Sequence, residues 1–144
     1  MGIDISFTVP GEPRAKARPR FSRKTGHTYT PDKTVAYEEL IRQRYMDATQ
    51  ERFADDAEVH AIIAAYYAIP KSVSKKKAMD MRRGAIRPIK RPDVDNLAKI
   101  VLDSLLGIAY RDDAQVVGCA VRKYYDDIPR VCVTLFEVNG DDND

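Results

Sequence analysis

Arg91-Pro92-Asp93-Val94-Asp95-Asn96-Leu97-Ala98-Lys99-Ile100-Val101-Leu102-Asp103 is the stretch around which this sequence is organised. A proline breaks an extended segment, and an apolar pattern of helical period follows: Leu97, Ile100, Val101 and Leu105, with Leu102 and Leu106 beside them. The spacing predicts a helix from about Asn96, ended by Gly107 as its C-terminal cap residue. Asp95, Lys99 and Asp103 then stand four residues apart on the face opposite the apolar stripe. Asp93 precedes the first turn, near the positive end of the helix dipole.

A second acidic pair, Asp112-Asp113, follows the helix. A helix of about ten residues is roughly 15 Å long, and the segment from Gly107 to Asp113 reaches about 20 Å when extended. Chain reach therefore allows Asp112 or Asp113 to return beside Asp93 and Asp95. Three carboxylates at one point repel and raise one another's pKa unless a cation neutralises them. Mg²⁺ needs only a few carboxylates, with water and phosphate oxygens completing its shell. Such a site suits phosphodiester hydrolysis, with Lys99 placed to share the developing negative charge. Blander readings use the same residues: Asp95 as an N-cap, Asp95 and Lys99 as an exposed ion pair, Asp112-Asp113 as a turn. A helix-loop-helix calcium site is disfavoured, because Leu97 and Ala98 stand where a polar ligand and a glycine are needed.

Working outward, Ile3 to Val9 alternates as a strand until Pro10-Gly11, and Glu12 to Asp32 reads as an exposed loop with a short hairpin around Lys24 to His27. A helix capped by Asp32 or Thr34 runs to about Gln50, its stripe being Val35, Leu40, Ile41 and Tyr45 with Ala36, Tyr37 and Ala48. Ala57 to Ile69 reads as a long strand, with an alanine-rich helix as the rival reading, and Ser74 to Arg83 as a short basic helix capped by Ser72 or Ser74. Ala114 to Tyr125 and Arg130 to Val138 read as an antiparallel hairpin turning at Asp126 to Pro129. On that pairing Cys119 and Cys132 are offset too far to bridge, and both are expected to be reduced and buried. His27 and His60 have no partner in the pattern that suggests a metal or a catalytic base.

The chain has 144 residues, 44% hydrophobic and 32% charged, and no apolar run long enough to cross a bilayer. The expectation is one α+β domain over residues 1–144: a mixed sheet with helices packed on it, in the order β-α-β-(basic insertion, about 71–91)-α-β-β. The N-terminus does not read as a secretory signal, so a cytoplasmic, non-membrane location is expected. A net charge of +2 conceals two basic clusters: six cations against Glu12 between residues 12 and 24, and nine against Asp80 between residues 71 and 91. Such clusters fit a polyanion, because neutralising phosphates releases counterions. Arg14, Lys16, Arg18 and Arg20 can track a backbone from an extended loop, while Lys75, Lys76 and Lys77, with Arg91, can meet phosphates elsewhere.

The run Arg91 to Lys99, then Asp103-Ser104-Leu105-Leu106, then Asp112-Asp113-Ala114-Gln115-Val116-Val117, resembles the signature of the RusA-type Holliday-junction resolvases. The resemblance implies the RusA-like fold and a homodimeric endonuclease, dependent on Mg²⁺ with Mn²⁺ as the alternative metal, that cuts four-way DNA junctions. It implies metal-ligand roles for Asp93, Asp95 and Asp113, a catalytic role for Lys99, and auxiliary positions for Asp112 and Asp103. It also implies a bacterial or phage source. The rival classes are a junction-binding accessory protein without catalysis, which binds without nicking, and a small-nucleotide phosphohydrolase, whose substrate engagement lacks a steep salt dependence.

Overall fold

The computed structural model describes residues 2–16 and 18–138. In chain order the elements are β1 (Asp4–Pro10), β2 (Arg20–Phe21), β3 (Thr28–Tyr29), α1 (Asp32–Ala48), β4 (Val59–Ala68), α2 (Lys75–Arg82), α3 (Val94–Leu105), a 3-10 turn at Asp113–Gln115, β5 (Val116–Asp126) and β6 (Arg130–Glu137). Four strands make a mixed sheet in the order β1-β6-β4-β5, and β2 and β3 form a separate small hairpin. The chain is thus an α+β fold, as expected.

One face of the sheet is apolar at every second residue: Ile5, Phe7 and Val9 on β1, Val131, Val133 and Leu135 on β6, and Val59, Ala61, Ile63, Ala65 and Tyr67 on β4. Two helices cover it and pack on each other, α1 against β1 and α3 against β4 and β5. Phe7 meets Tyr45 of α1 edge to face, with ring centroids 5.8 Å apart. Among the described residues no helix is long and apolar enough to cross a membrane.

The expected β5–β6 hairpin does not form. β4 lies between the two strands, antiparallel to β6 and parallel to β5. The reason is burial: β4 has a core-facing residue at every second position and is covered best with a neighbour on each edge. The parallel neighbour needs a crossover, which α3 supplies. The cysteines are therefore separated by β4, Cys119 beside Ala61 and Cys132 beside Ala64. Both are free thiols, but Cys119 is exposed and Cys132 half-buried, contrary to the buried placement expected.

Helix α1 begins directly after Pro31, whose φ of −56° already suits a helix, so Asp32 lies in the first turn and neither it nor Thr34 is the N-cap. Its buried face is Thr34, Tyr37, Ile41 and Tyr45, whereas Val35, Ala36 and Ala48 are exposed. At 100° per residue Val35 and Ala36 stand off the face that the two tyrosines occupy, whereas Ala48 shares that face and is exposed as the last residue of the helix. The basic helix α2 is capped as expected, with the Ser74 hydroxyl accepting from the Lys77 amide at 3.2 Å.

Candidate active site

Helix α3 starts two residues earlier than the apolar period suggested. Asp93 is its extended N-cap, and the Leu97 amide donates to the Asp93 carbonyl at 3.0 Å. The segment leading in is fastened to the sheet by the Tyr67 hydroxyl, which donates to the Pro92 carbonyl at 2.7 Å. Lys123 of β5 donates from Nζ to the Lys90 carbonyl. Nearby, the Glu12 carboxylate accepts from the Ala68 amide at 2.9 Å and ties the first basic loop to the same end of β4. Burial holds the Tyr67 phenol well above its ordinary value, and the Glu12 and Asp93 carboxylates push it the same way.

Asp93 and Asp95 are exposed, and neither side chain has a hydrogen-bond or ion-pair partner among the described residues. Lys99, one turn beyond Asp95, is likewise exposed and unpaired among them. Asp103, two turns beyond Asp95, differs. Its Oδ2 accepts from Lys16 Nζ at 3.1 Å, and the same ammonium lies 3.6 Å from Glu38 of α1. The hydrogen bond to Asp103 comes first among the causes that raise the Lys16 pKa. Lys16, expected among the DNA contacts, is half-buried and links α1 and α3.

At the other end of α3, Gly107 takes φ +89°, a conformation open to glycine at no steric cost. Tyr110 donates to the Leu102 carbonyl and so folds the chain back on the helix end. Asp112 and Gln115 then form a reciprocal capping box. The Asp112 carboxylate accepts from the Ala114 amide at 2.9 Å, and Gln115 Oε1 accepts from the Asp112 amide at 3.0 Å. Gln115 Nε2 donates to the carbonyls of Ala54 and Ala57 and locks the turn to the segment before β4. The structure thus separates the two adjacent acids: Asp112 holds the turn, while the exposed Asp113 side chain has no bonded partner among the described residues.

The two ends do not converge within one chain. The 12 residues of α3 span about 18 Å at 1.5 Å each. Asp93 lies at the Tyr67 end of β4, and Asp113 precedes Val116, which pairs with Val59 at the opposite end. Among the described residues no group of three or more His, Cys, Asp or Glu side chains is placed to hold a metal ion. Chain reach permitted the return, but the Tyr110 bond and the Gln115 clamp direct the segment into β5 instead. The donors themselves suit a hard divalent cation, being unpaired carboxylate oxygens at each end of α3.

The basic clusters also divide. Arg82 makes a forked contact with Asp127, Arg83 pairs with Asp80, and Arg87 lies over the Tyr124 ring at 4.2 Å and donates to the Lys123 carbonyl. Arg82 and Arg87 fasten α2 and the following loop to β5 and its end, whereas the Arg83 pair is local to the end of α2. Lys75, Lys76, Lys77, Arg14, Arg18, Arg20 and Arg91 are exposed and make no ion pair among the described residues. Tyr67, Tyr110 and Gln115, which position the acidic residues, were not singled out by sequence reasoning. Only Gln115, inside the Asp-Asp-Ala-Gln-Val run, carried a signal that could have marked it.

The sequence was compared with known proteins. Residues 10–136 match the family described as Endodeoxyribonuclease RusA. A relative from Bacillus subtilis (strain 168), named Uncharacterized protein YqaN, is 40% identical over 142 residues, which cover 94% of this chain and 98% of the relative. A family match over most of the chain, on an α+β fold carrying the acidic helix start and the capped Asp-Asp turn, leads to one assignment: this chain belongs to the RusA endodeoxyribonuclease family.

Proposed function

We propose that the protein is a divalent-metal-dependent endonuclease that resolves four-way DNA junctions, with Asp93, Asp95 and Asp113 as metal ligands and Lys99 as the catalytic lysine. The observation that carries this reading is the pair of unpaired, exposed carboxylates at the start of α3, on a segment tied to the sheet and flanked by the unpaired cations Arg14, Arg20 and Arg91. Membership of an endodeoxyribonuclease family supplies the reaction class.

In the hydrolysis a water oxygen bonds to phosphorus as one P–O ester bond breaks, leaving a phosphomonoester and a hydroxyl. Asp93 and Asp95 would hold the cation, Mg²⁺ or Mn²⁺, which when bound supplies Lewis acidity at the phosphoryl oxygens. Lys99 donates hydrogen bonds to phosphoryl oxygens as negative charge grows on them. The exposed arginines and the lysines of α2 hold the strand backbones in place.

The distance between the two ends of α3 supports a symmetric homodimer. In a twofold arrangement with the helices antiparallel, Asp93 and Asp95 of one protomer meet the partner's Asp113, and two equivalent sites result. Two sites related by a twofold axis match paired cuts in a four-way junction.

The test is a synthetic four-way junction incubated with the protein and Mg²⁺ beside an EDTA control. Paired nicks that need the metal are expected, and Asp93→Asn should remove them while junction binding persists. An Asp93→Asn protein that cuts normally overturns the assignment. Stable binding by the unaltered protein without nicks would make it an accessory junction binder.

A further inference from the structure

A cavity of about 620 Å³ opens between the first basic loop, the start of α1 and the Arg91-Pro92 turn. Four cationic side chains from three separate parts of the chain line it: Arg14 and Arg20, Lys33 of α1, and Arg91. Asp32 is the one carboxylate in the lining. None of the four cations is in an ion pair among the described residues, although Arg82, Arg83, Arg111 and Arg130 elsewhere on the surface each have a carboxylate partner. Four unpaired like charges facing one concave space repel, and an anion within it relieves that repulsion.

The remaining walls include Pro31 and Pro92, which are rigid and apolar. The volume falls in the range of sites that enclose a small organic ligand, roughly 300 to 1,000 Å³, and exceeds what a lone phosphate would fill. Pro92 also fixes the position of the cavity, since it directly precedes Asp93. A chain segment seated here lies beside the carboxylates at the start of α3.

We propose that this cavity is a subsite for one nucleotide of a DNA strand, its phosphodiester held among Arg14, Arg20, Lys33 and Arg91 and its sugar against the prolines. The phosphate lies next to the one to be cut, so the cavity sets the register of the strand at Asp93. The inference rests on the nuclease reading above and adds Lys33, which lies outside both basic clusters, as a strand-positioning residue.

Because Lys33 and Arg20 line the same cavity, the proposal puts them on the same phosphate. Junction binding would be measured over a range of salt concentrations, in EDTA, for the unaltered protein, Lys33→Gln, Arg20→Gln and the double variant. Each single change is expected to weaken binding about tenfold, the size of one lost hydrogen bond to a charged group. The double variant should lose less than the product of the two, with its salt slope shallower by about one, as for a single phosphate. A junction with one methylphosphonate, moved position by position, should identify a site where the unaltered protein loses affinity and the double variant, which keeps Arg14 and Arg91, loses less. Both side chains are exposed, so unchanged melting temperatures serve as the folding control. Fully multiplicative losses with a slope change of about two, or unchanged binding, overturn the inference and leave the nuclease reading intact. An unaltered protein that binds no junction overturns both.

Discussion

The Tyr67 hydroxyl donates a 2.7 Å hydrogen bond to the Pro92 carbonyl, joining the end of the central strand to the residue before Asp93. Both partners are buried, and the bond fixes where α3 begins relative to the sheet. Removing the hydroxyl leaves that carbonyl unsatisfied, at a cost of about 1 to 3 kcal/mol. Tyr67→Phe should therefore lower the unfolding free energy by that amount, read from the denaturant midpoint at unchanged m. It should also reduce kcat for junction cleavage more than it reduces binding, since phosphate contacts elsewhere are untouched. Single-turnover cleavage beside an anisotropy titration would show the split.

Tyr37 provides the contrast. Its hydroxyl is buried and makes no hydrogen bond among the described residues. Burial pushes its pKa up to about 12, and the nearby Arg14 offsets this only in part. Tyr67 and Tyr110 are also raised, chiefly by burial. An unfolded tyrosine titrates near pH 10, so above that value the unfolded chain loses protons that the folded chain keeps. The stability these groups contribute is fully present below about pH 10 and is lost as pH rises toward and through the folded values. Urea midpoints taken from pH 8 upward should stay level and then fall steeply above about pH 10. Tyr37→Phe should be neutral or stabilising at pH 8 and should soften the alkaline decline.

Lys16 lies between Asp103 and Glu38, with side chains about 15 to 31% exposed. At that exposure the pair contributes about 0.5 to 1 kcal/mol. Lys16→Gln should cost about that much stability at neutral pH and leave the salt slope of junction binding unchanged, whereas Arg20→Gln should do the reverse. The raised pKa of Lys16 means that its contribution persists below about pH 10.4 and is lost as pH rises through the folded value. A salt slope that falls in Lys16→Gln would return this residue to the DNA contacts.

Shared sites give a test by mixing. Asp93→Asn and Asp113→Asn should each be inactive alone. In a mixed dimer of the two variants, one site collects both defects and the other is intact. Co-refolded mixtures should then regain nicking, at most about one intact site per mixed dimer, and the products should be single nicks rather than paired cuts. If each site lies within one chain, mixing restores nothing.

The secondary structure was largely legible because it follows from local periodicity. Alternation in β1 and β4 and the period of Leu97, Ile100, Val101 and Leu105 announced which faces would be buried, and the structure buries them. The errors came where several arrangements satisfy the same pattern. Residues 34, 37, 41 and 45 of α1 compete with 35 and 36 for the core, and the tyrosines prevailed by the depth of apolar surface they fill. The acids at 112 and 113 look equivalent in sequence, but only the backbone geometry of the turn engages Asp112 and leaves Asp113 open.

The sequence by itself determined the element types, the acidic helix start, the glycine that ends α3 and the family. Each of these depends on neighbours within a few residues. The tertiary structure alone decided that β4 separates β5 from β6, that Asp113 lies a helix length from Asp93, and that Lys16 pairs inward. Strand partners and charge partners are chosen by which distant surfaces can be buried together. A local pattern records which face an element hides, and it carries no record of what that face meets.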